Sequence, residues 1–427
     1  MISGPQQPST RYATRHGSAK RVPARRFGVL RVLVALLLLL LLVAGIPLVA
    51  CSSSSGPDTS STSFDIGSDT TLSDRDADSM IPPEARIIRV SFAAVGDNLI
   101  HGSVYRYGQR SDGSYNFDML YAPVAPYIEE VDIAFMNQET VCGGTELGLA
   151  DYPCFNSPKE ILDAVYYAGF DWINTASNHS MDAHDYGIIS QLDHIATLPG
   201  LVQTGTHSSW EDFNTPTVIE VSGVRIGLAS YTYGLNGFIL PDGEEYLVDL
   251  IDIEKITSDI EKLKEVSDVQ IVNMHWGDEY QYYPNDEQQY LAQYLADLGV
   301  DVVIGEHPHV VQPTTMLTGA GGNKTLTIYS LGNFMSAQDE PPRMLGEMAR
   351  WVLCYDPLTK EVSFENVEIW PLVTHYVSGW TGFESYALRD YTNELAATHS
   401  LSYKGLSREF LINLSREVFG DEFTLVY

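Results

Sequence analysis

Basic residues are scarce in this chain. Its 427 residues include 25 Lys and Arg against 56 Asp and Glu, a formal net charge of −31. Seven of those 25 bases, Arg11, Arg15, Lys20, Arg21, Arg25, Arg26 and Arg31, fall within the first fifty residues, where there is no acid. Everything after residue 50 therefore carries 18 bases and all 56 acids. Nucleic-acid binding rests on Lys and Arg neutralising phosphates, so this surface excludes it. The acidity keeps an exposed protein soluble, and it leaves a bound cation as the means of making a local positive focus. Cysteine is also scarce. Cys51, Cys142, Cys154 and Cys354 are the whole set, and no Cys-x-x-Cys pair among them suggests zinc ligation. No internal repeat is present. Hydrophobic residues make up 44% of the chain, an ordinary share that allows a sizeable core.

The one long apolar run is residues 27–50, and it follows the basic stretch 1–26. Bases before an apolar segment hold its N-terminal side in the cytoplasm. The run approaches the ~20 residues that span a bilayer and suits either a signal sequence or a membrane anchor. It ends in Leu48-Val49-Ala50-Cys51, which resembles the lipobox of bacterial lipoproteins, where Cys51 would carry lipid. An uncleaved single-span anchor is the alternative. Both place the remainder on the extracytoplasmic face of the cell membrane. Residues 51–85 are rich in Ser, Thr, Asp and Gly, bury too little apolar surface to fold, and read as a flexible linker. An exported domain permits disulfides, and Cys142 and Cys154, in one Gly- and Pro-containing loop, are the expected pair. Cys354, within an apolar run, reads as a buried thiol.

From residue 86 the pattern alternates. Apolar, strand-like runs occur at 88–95, 132–136, 172–176, 269–272, 300–304 and 326–330, and helical periodicity at 159–168, 186–198 and 253–266. Residues 218–221 and 224–230 form a hairpin across Ser222-Gly223, and 350–355 and 362–369 are late antiparallel strands. Alternation of this kind predicts an α/β layered domain over 86–375. The pattern weakens after Pro371, and residues 376–427 read as a peripheral C-terminal tail.

Five of the strand-like runs end in residues suited to metal or acid–base chemistry: Asp97; Asn137 with Glu139; Asn178 with His179; His275; and His307 with His309. Sites in α/β sheets gather beyond the carboxyl ends of strands. Carboxylate, carboxamide and imidazole together suit divalent Mn, Fe or Zn. On an extended His307-Pro308-His309 segment, alternate side chains share a face, so both imidazoles would address one site. Each residue has a plainer reading: Asp97 and Asn178 as turn residues, His179 as a satisfied structural histidine. A buried Glu139 with no cation would be costly.

The motifs Gly96-Asp97, Asn137-x-Glu139, Ser177-Asn178-His179 with Asp182 and Gly187, His275-Trp276-Gly277-x-Glu279-Tyr280, Gly305-x-His307-Pro308-His309 and Ser330-Leu331-Gly332-Asn333-Phe334 resemble those of the CapA-type capsule synthesis family. That family is associated with poly-γ-glutamate capsule synthesis, and its domain is similar to calcineurin-like metallophosphoesterases. The resemblance runs from about Val90 to about Ala337. It implies a four-layer α/β/β/α sandwich binding one or two divalent ions. Asp97, Glu139, Asn178, His275, His307 and His309 would be ligands. Asp97 and His179 would be catalytic, His179 as the acid–base residue. Trp276, Glu279, Tyr280 and Asn333 would line the substrate cleft. An envelope polymer, of poly-γ-glutamate or other capsule or wall material, and polymer synthase subunits are the implied partners. The implied activity is metal-dependent hydrolysis of such a polymer or of a phosphoester. A non-catalytic subunit of a synthesis or export complex is the alternative. The first motif departs from the phosphoesterase Asp-x-His pattern, because Asp97 is followed by Asn98-Leu99. His101 falls four residues on, and Glu306 stands where the family commonly has another histidine.

Overall fold

The computed structural model describes residues 86–427 in full and residues 11–15 as backbone. The expected anchor at 27–50, lipid-bearing Cys51 and linker at 51–85 lie outside the described residues. No helix among the described residues is long and apolar enough to cross a membrane.

Sixteen strands are described: β1 (Arg11–Arg15), β2 (Ile88–Asn98), β3 (Ile133–Asn137), β4 (Trp172–Asn174), β5 (Val202–Thr204), β6 (Thr217–Val221), β7 (Val224–Thr232), β8 (Val269–His275), β9 (Val302–Glu306), β10 (Thr314–Thr318), β11 (Lys324–Ile328), β12 (Asn333–Met335), β13 (Leu345–Tyr355), β14 (Val362–Val377), β15 (Thr381–Ala387) and β16 (Thr424–Leu425). They form two sheets. One runs β1-β6-β7-β8-β9-β11-β10; the other runs β15-β14-β13-β2-β3-β4-β5, with β12 added beside β2 and β16 beside β14.

Alternation along the strands stacks the sheets. Phe92 and Ala94 of β2 point into a shared apolar layer with Ile133, Trp172, Ile226, Ile271 and Ile304, drawn from both sheets. Their neighbours Ala93 and Val95 point the other way, toward Leu162 and Val165 of the helix Glu160–Tyr167. On the far face of the sheet that contains β8 and β9, Val272, Met274 and Val303 meet Ile256, Ile260 and Leu263 of the helix Ile253–Val266 and Leu291 and Leu295 of the helix Asp286–Asp297. Helix, sheet, sheet, helix is thus the layer order. Each fully buried Ile, Leu or Val contributes about 1.5–3 kcal/mol to it. Both helices of this outer layer start where the sequence offers a cap: Asp252 accepts from the Lys255 N–H, and Asn285 with Gln288 forms a reciprocal capping box.

The strands that matter for function are parallel and end together. Asp97 registers with Asn137, and Asn137 with Asn174, across β2, β3 and β4. In the other sheet Thr232 registers with His275 and His275 with Glu306, across β7, β8 and β9. Gly96 allows one more approach. A Cβ there would lie 1.8 Å from the Gly332 carbonyl oxygen, so only glycine lets β12 settle beside β2 and bring Asn333 level with Asp97.

Two expectations fail here. Residues 376–427 are not a peripheral tail: β14 continues to Val377, β15 extends the sheet, and Leu411, Leu414, Val418 and Phe419 of the helix Arg408–Phe419 lie in the main core. Its apolar residues are spread over short elements, which hides the pattern. Cys142 and Cys154 form no disulfide. Cys142 is buried with its thiol toward the Thr140 carbonyl oxygen, whereas Cys154 is exposed. Buried Cys354 is as expected.

Candidate metal centre

The carboxyl ends of the two sheets converge, and the strand-end residues meet there. Asp97, Glu139, Asn178, His179, His275, His307 and His309 are all buried. Glu139, His307 and His309 offer ligand atoms that lie within 4.8 Å of one another. His309 Nε2 is 3.5 Å from Glu139 Oε1, and His275 Nε2 is 4.0 Å from the same oxygen. The His275 and His307 rings are 4.9 Å apart. Asn178 joins through its Oδ1, 2.9 Å from His275 Nε2.

Asp97 reaches the cluster through a neighbour. Its Oδ2 lies 2.9 Å from His309 Nδ1, and its Oδ1 accepts from Asn137 Nδ2 at 2.7 Å. Asn174 Nδ2 donates in turn to Asn137 Oδ1 at 2.8 Å. A polar ladder across the ends of β2, β3 and β4 therefore fixes Asp97, and Asp97 fixes the His309 ring. This is how outer carboxylates orient metal-binding imidazoles.

The His-Pro-His segment is not extended, contrary to the sequence reading. His307 has φ 98° and His309 φ 57°, left-handed values that cost about 1–3 kcal/mol each in residues other than glycine. Both rings still enter the cluster, through a bend. The Tyr280 N–H donates to the Pro308 carbonyl oxygen at 2.7 Å and holds that bend. Tyr280 itself has φ 65°.

Burial and crowding set the charges. Burial opposes a charged His309, yet Glu139 and Asp97 overrule it and raise its pKa to about 9. Burial also opposes ionisation of Asp97, but the hydrogen bond and charge of His309 bring its pKa below the usual carboxylate range. Glu139 is pushed well up, by burial first and then by Asp97 and Glu279, with His309 opposing. His307 falls to about 3 and His275 also falls, each through burial and then the other imidazoles. Glu306 is wholly buried and driven well up by burial and then by Asp97. It lies behind the cluster and does not face solvent.

Both Glu139 oxygens and His307 Nδ1 are buried and accept or donate no hydrogen bond among the described residues. Native proteins rarely leave such groups unsatisfied. A carboxylate and imidazoles aimed at one point are the donor set of a borderline divalent cation, so these residues fit one.

His179 stands beside the cluster. Its Nδ1 is 2.7 Å from Asp182 Oδ2, an oxygen that also accepts from the Phe155 N–H at 2.7 Å. The His179 N–H donates to Ser177 Oγ, which donates to the Glu139 carbonyl oxygen at 2.6 Å, so this turn is tied to Glu139. The sequence motif quoted Asp182 without a role; it is the partner of His179.

The expected cleft residues divide. Tyr280 and Glu279 are exposed at the mouth, with the Tyr280 ring 6.1 Å from His309. Trp276 does not line a cleft: it is 1% exposed and its Nε1 donates to the Tyr329 carbonyl oxygen at 3.0 Å. Asn333 is also buried, and its Nδ2 donates to the carbonyl oxygens of His309 and Arg343 at 3.2 and 3.0 Å. Two residues at the mouth escaped the sequence reading. Tyr233, exposed, sits 4.7 Å from the His307 ring, and Asn236 Oδ1 accepts from Asn178 Nδ2 at 3.2 Å. Tyr233 follows β7 directly, so the strand-end rule could have found it. Hollows also lie elsewhere; one of about 720 Å³, bordered by Leu192, Pro199 and Ser209, is lined by no histidine.

Residues 91–338, more than half of the chain, match the family described as Bacterial capsule synthesis protein PGA_cap. The chain belongs to that family. Every residue of the strand-end cluster lies within the PGA_cap match. The "Capsule biosynthesis protein CapA" of Bacillus anthracis is 28% identical over 260 residues, 58% of this chain and 60% of the relative. The "PGA biosynthesis protein CapA" of Bacillus subtilis (strain 168) is 31% identical over 192 residues, 42% of this chain and 46% of the relative. The chain thus matches roughly half the length of these relatives. Among solved structures, a phosphatase of Mycoplasma pneumoniae aligns with TM-score 0.41 and 13% identity, over 67% of this chain and 94% of that one. A putative 5'-nucleotidase of Staphylococcus aureus aligns with TM-score 0.42 and 17% identity, over 66% and 54%. Both superpose only loosely.

Proposed function

We propose that this PGA_cap chain is a membrane-anchored, extracytoplasmic capsule protein whose strand-end cluster performs metal-dependent hydrolysis on an envelope polymer or phosphoester. The observation that carries the reading is the convergence of Glu139, His307 and His309 with the Glu139 oxygens and His307 Nδ1 left without hydrogen bonds among the described residues. These three, with His275 and Asn178 beside them, would hold one or two divalent cations, Mn, Fe or Zn. A cation there would polarise a substrate oxygen and acidify water. The chain's own residues do the rest. Asp97 orients His309. Asp182 holds His179 Nδ1 and leaves Nε2 to take up or give a proton, the role of a general acid–base residue. Tyr233 and Tyr280 flank the mouth. The anchor is supported by the basic residues ahead of the apolar run 27–50.

A second reading is favoured by the relatives' printed names, which describe biosynthesis rather than hydrolysis. Here the chain is a non-catalytic partner of polymer synthase subunits. His179→Ala separates the two. Loss of Mn-dependent hydrolysis of γ-linked polyglutamate or of a phosphodiester, with metal content unchanged, supports the enzyme. A wild-type protein that binds metal and turns over neither, together with a variant that still supports capsule formation, overturns it.

A further inference from the structure

The mouth of the centre holds a guanidinium that pairs with no carboxylate among the described residues. Arg343 lies in the short 3₁₀ turn Pro341–Met344, and its guanidinium stacks 3.6 Å from the centre of the Tyr280 ring. Tyr280 is the aromatic that stands 6.1 Å from His309. The acids nearest to Arg343 in sequence are taken: Lys404 pairs with Asp339 at 3.3 Å and with Glu340 at 3.0 Å. No ion pair of Arg343 occurs among the described residues.

The turn is also tied to the centre by the backbone. Buried Asn333 donates from one amide nitrogen to the carbonyl oxygens of both His309 and Arg343. Tyr280 is held from the other side by its N–H on Pro308, at the left-handed φ of 65° that few tyrosines adopt. Arg343, Tyr280 and His309 are thus fixed relative to one another by two independent backbone contacts. Strain of this kind collects where function needs a fixed geometry. A guanidinium held over a ring can still present its N–H fork, and that fork matches the two oxygens of a carboxylate or phosphate.

We infer that Arg343, braced on Tyr280, is the oxyanion-recognising residue of the site and selects a substrate that carries a carboxylate or phosphate next to the reacting group. This inference rests on the reading of the cluster as a substrate site, and it specifies the charge of what enters. In an acidic protein a guanidinium at this mouth offsets part of the repulsion that an entering anion meets.

The test measures binding to the full chain in detergent by titration calorimetry, with a γ-linked glutamate oligomer and inorganic phosphate as separate probes. Variants are Arg343→Gln, Arg343→Lys and, as a control for a stacked arginine elsewhere, Arg389→Gln, whose guanidinium lies 4.7 Å from the Trp370 ring. Arg343→Gln is expected to weaken at least one probe by about 10- to 100-fold, the value of a charge-assisted hydrogen-bonded contact. Arg343→Lys should fall between, and Arg389→Gln should match wild type. The tighter probe identifies the oxyanion. Binding of both probes by Arg343→Gln within about twofold of wild type, or no binding of either by wild type, overturns the inference. Arg343-dependent binding by a protein that shows no metal-dependent turnover would overturn the hydrolytic reading and leave the recognition role standing.

Discussion

Asp97 Oδ2 lies 2.9 Å from His309 Nδ1, so the first acidic residue of the motif series grips the last histidine from behind. The ring's other nitrogen faces Glu139. An outer carboxylate of this kind fixes tautomer and orientation, and its loss commonly lowers metal affinity by about 10–100-fold. Asp97→Asn is therefore expected to weaken Mn or Zn binding by about that factor, read by equilibrium dialysis, whereas His309→Ala removes binding. Equal loss in both variants would make Asp97 a direct ligand.

Glu139 gives a stability test. Its two oxygens are buried and accept no hydrogen bond, with only His309 Nε2 3.5 Å and His275 Nε2 4.0 Å from one of them, an arrangement that costs folding free energy until a cation satisfies it. Without metal, Glu139→Gln should raise the melting temperature. With Mn at about 100 times its dissociation constant, wild type should gain about 2.7 kcal/mol and the variant almost none. A variant that melts lower without metal and still responds to metal would show that Glu139 is satisfied by the protein alone.

These tests bear on residues the sequence did display, and there is a physical reason for that. A parallel strand buried on both faces is a short apolar run, and whatever follows it sits at the sheet's carboxyl edge. Asp97, Glu139, Asn178, His179, His275, His307 and His309 were legible by that rule. Side-chain direction was not. Trp276 follows His275 whether its ring points out or, as here, inward to Tyr329. The bend at His307 and His309 needs left-handed backbone that histidine does not advertise. Arg343 joins the site from a turn far along the chain, through Asn333, and such long-range contacts leave no local pattern. The burial of the C-terminal helix was hidden in the same way, since Leu411, Leu414, Val418 and Phe419 join a core assembled from residues far away in the chain.

The inward position of Trp276 can be checked. Trp276→Phe keeps an aromatic ring but leaves the Tyr329 carbonyl oxygen without its donor. Truncating a buried hydrogen bond costs about 1–3 kcal/mol. Denaturant unfolding should show that loss, while affinity for the glutamate oligomer stays within about twofold. A large loss of affinity with unchanged stability would return Trp276 to the cleft.

Asp301 supplies the pH dependence. It sits just before β9, away from the metal cluster, and its Oδ2 accepts from the Gln270 N–H at 2.8 Å. Burial raises its pKa to about 7, with that hydrogen bond and the charge of Lys264 only partly opposing. The unfolded chain titrates near the ordinary aspartate value of about 3.9. Between those values the folded protein keeps a proton that the unfolded chain has released, so stability falls as pH rises, and the full penalty is present above about 7. Asp301→Asn keeps an oxygen acceptor for Gln270 and removes the charge. Its stability advantage over wild type should therefore grow by about 1–3 kcal/mol from pH 5 to pH 8 in denaturant unfolding. An advantage independent of pH would mean that Asp301 is ionised in the folded protein throughout, with water reaching its carboxylate.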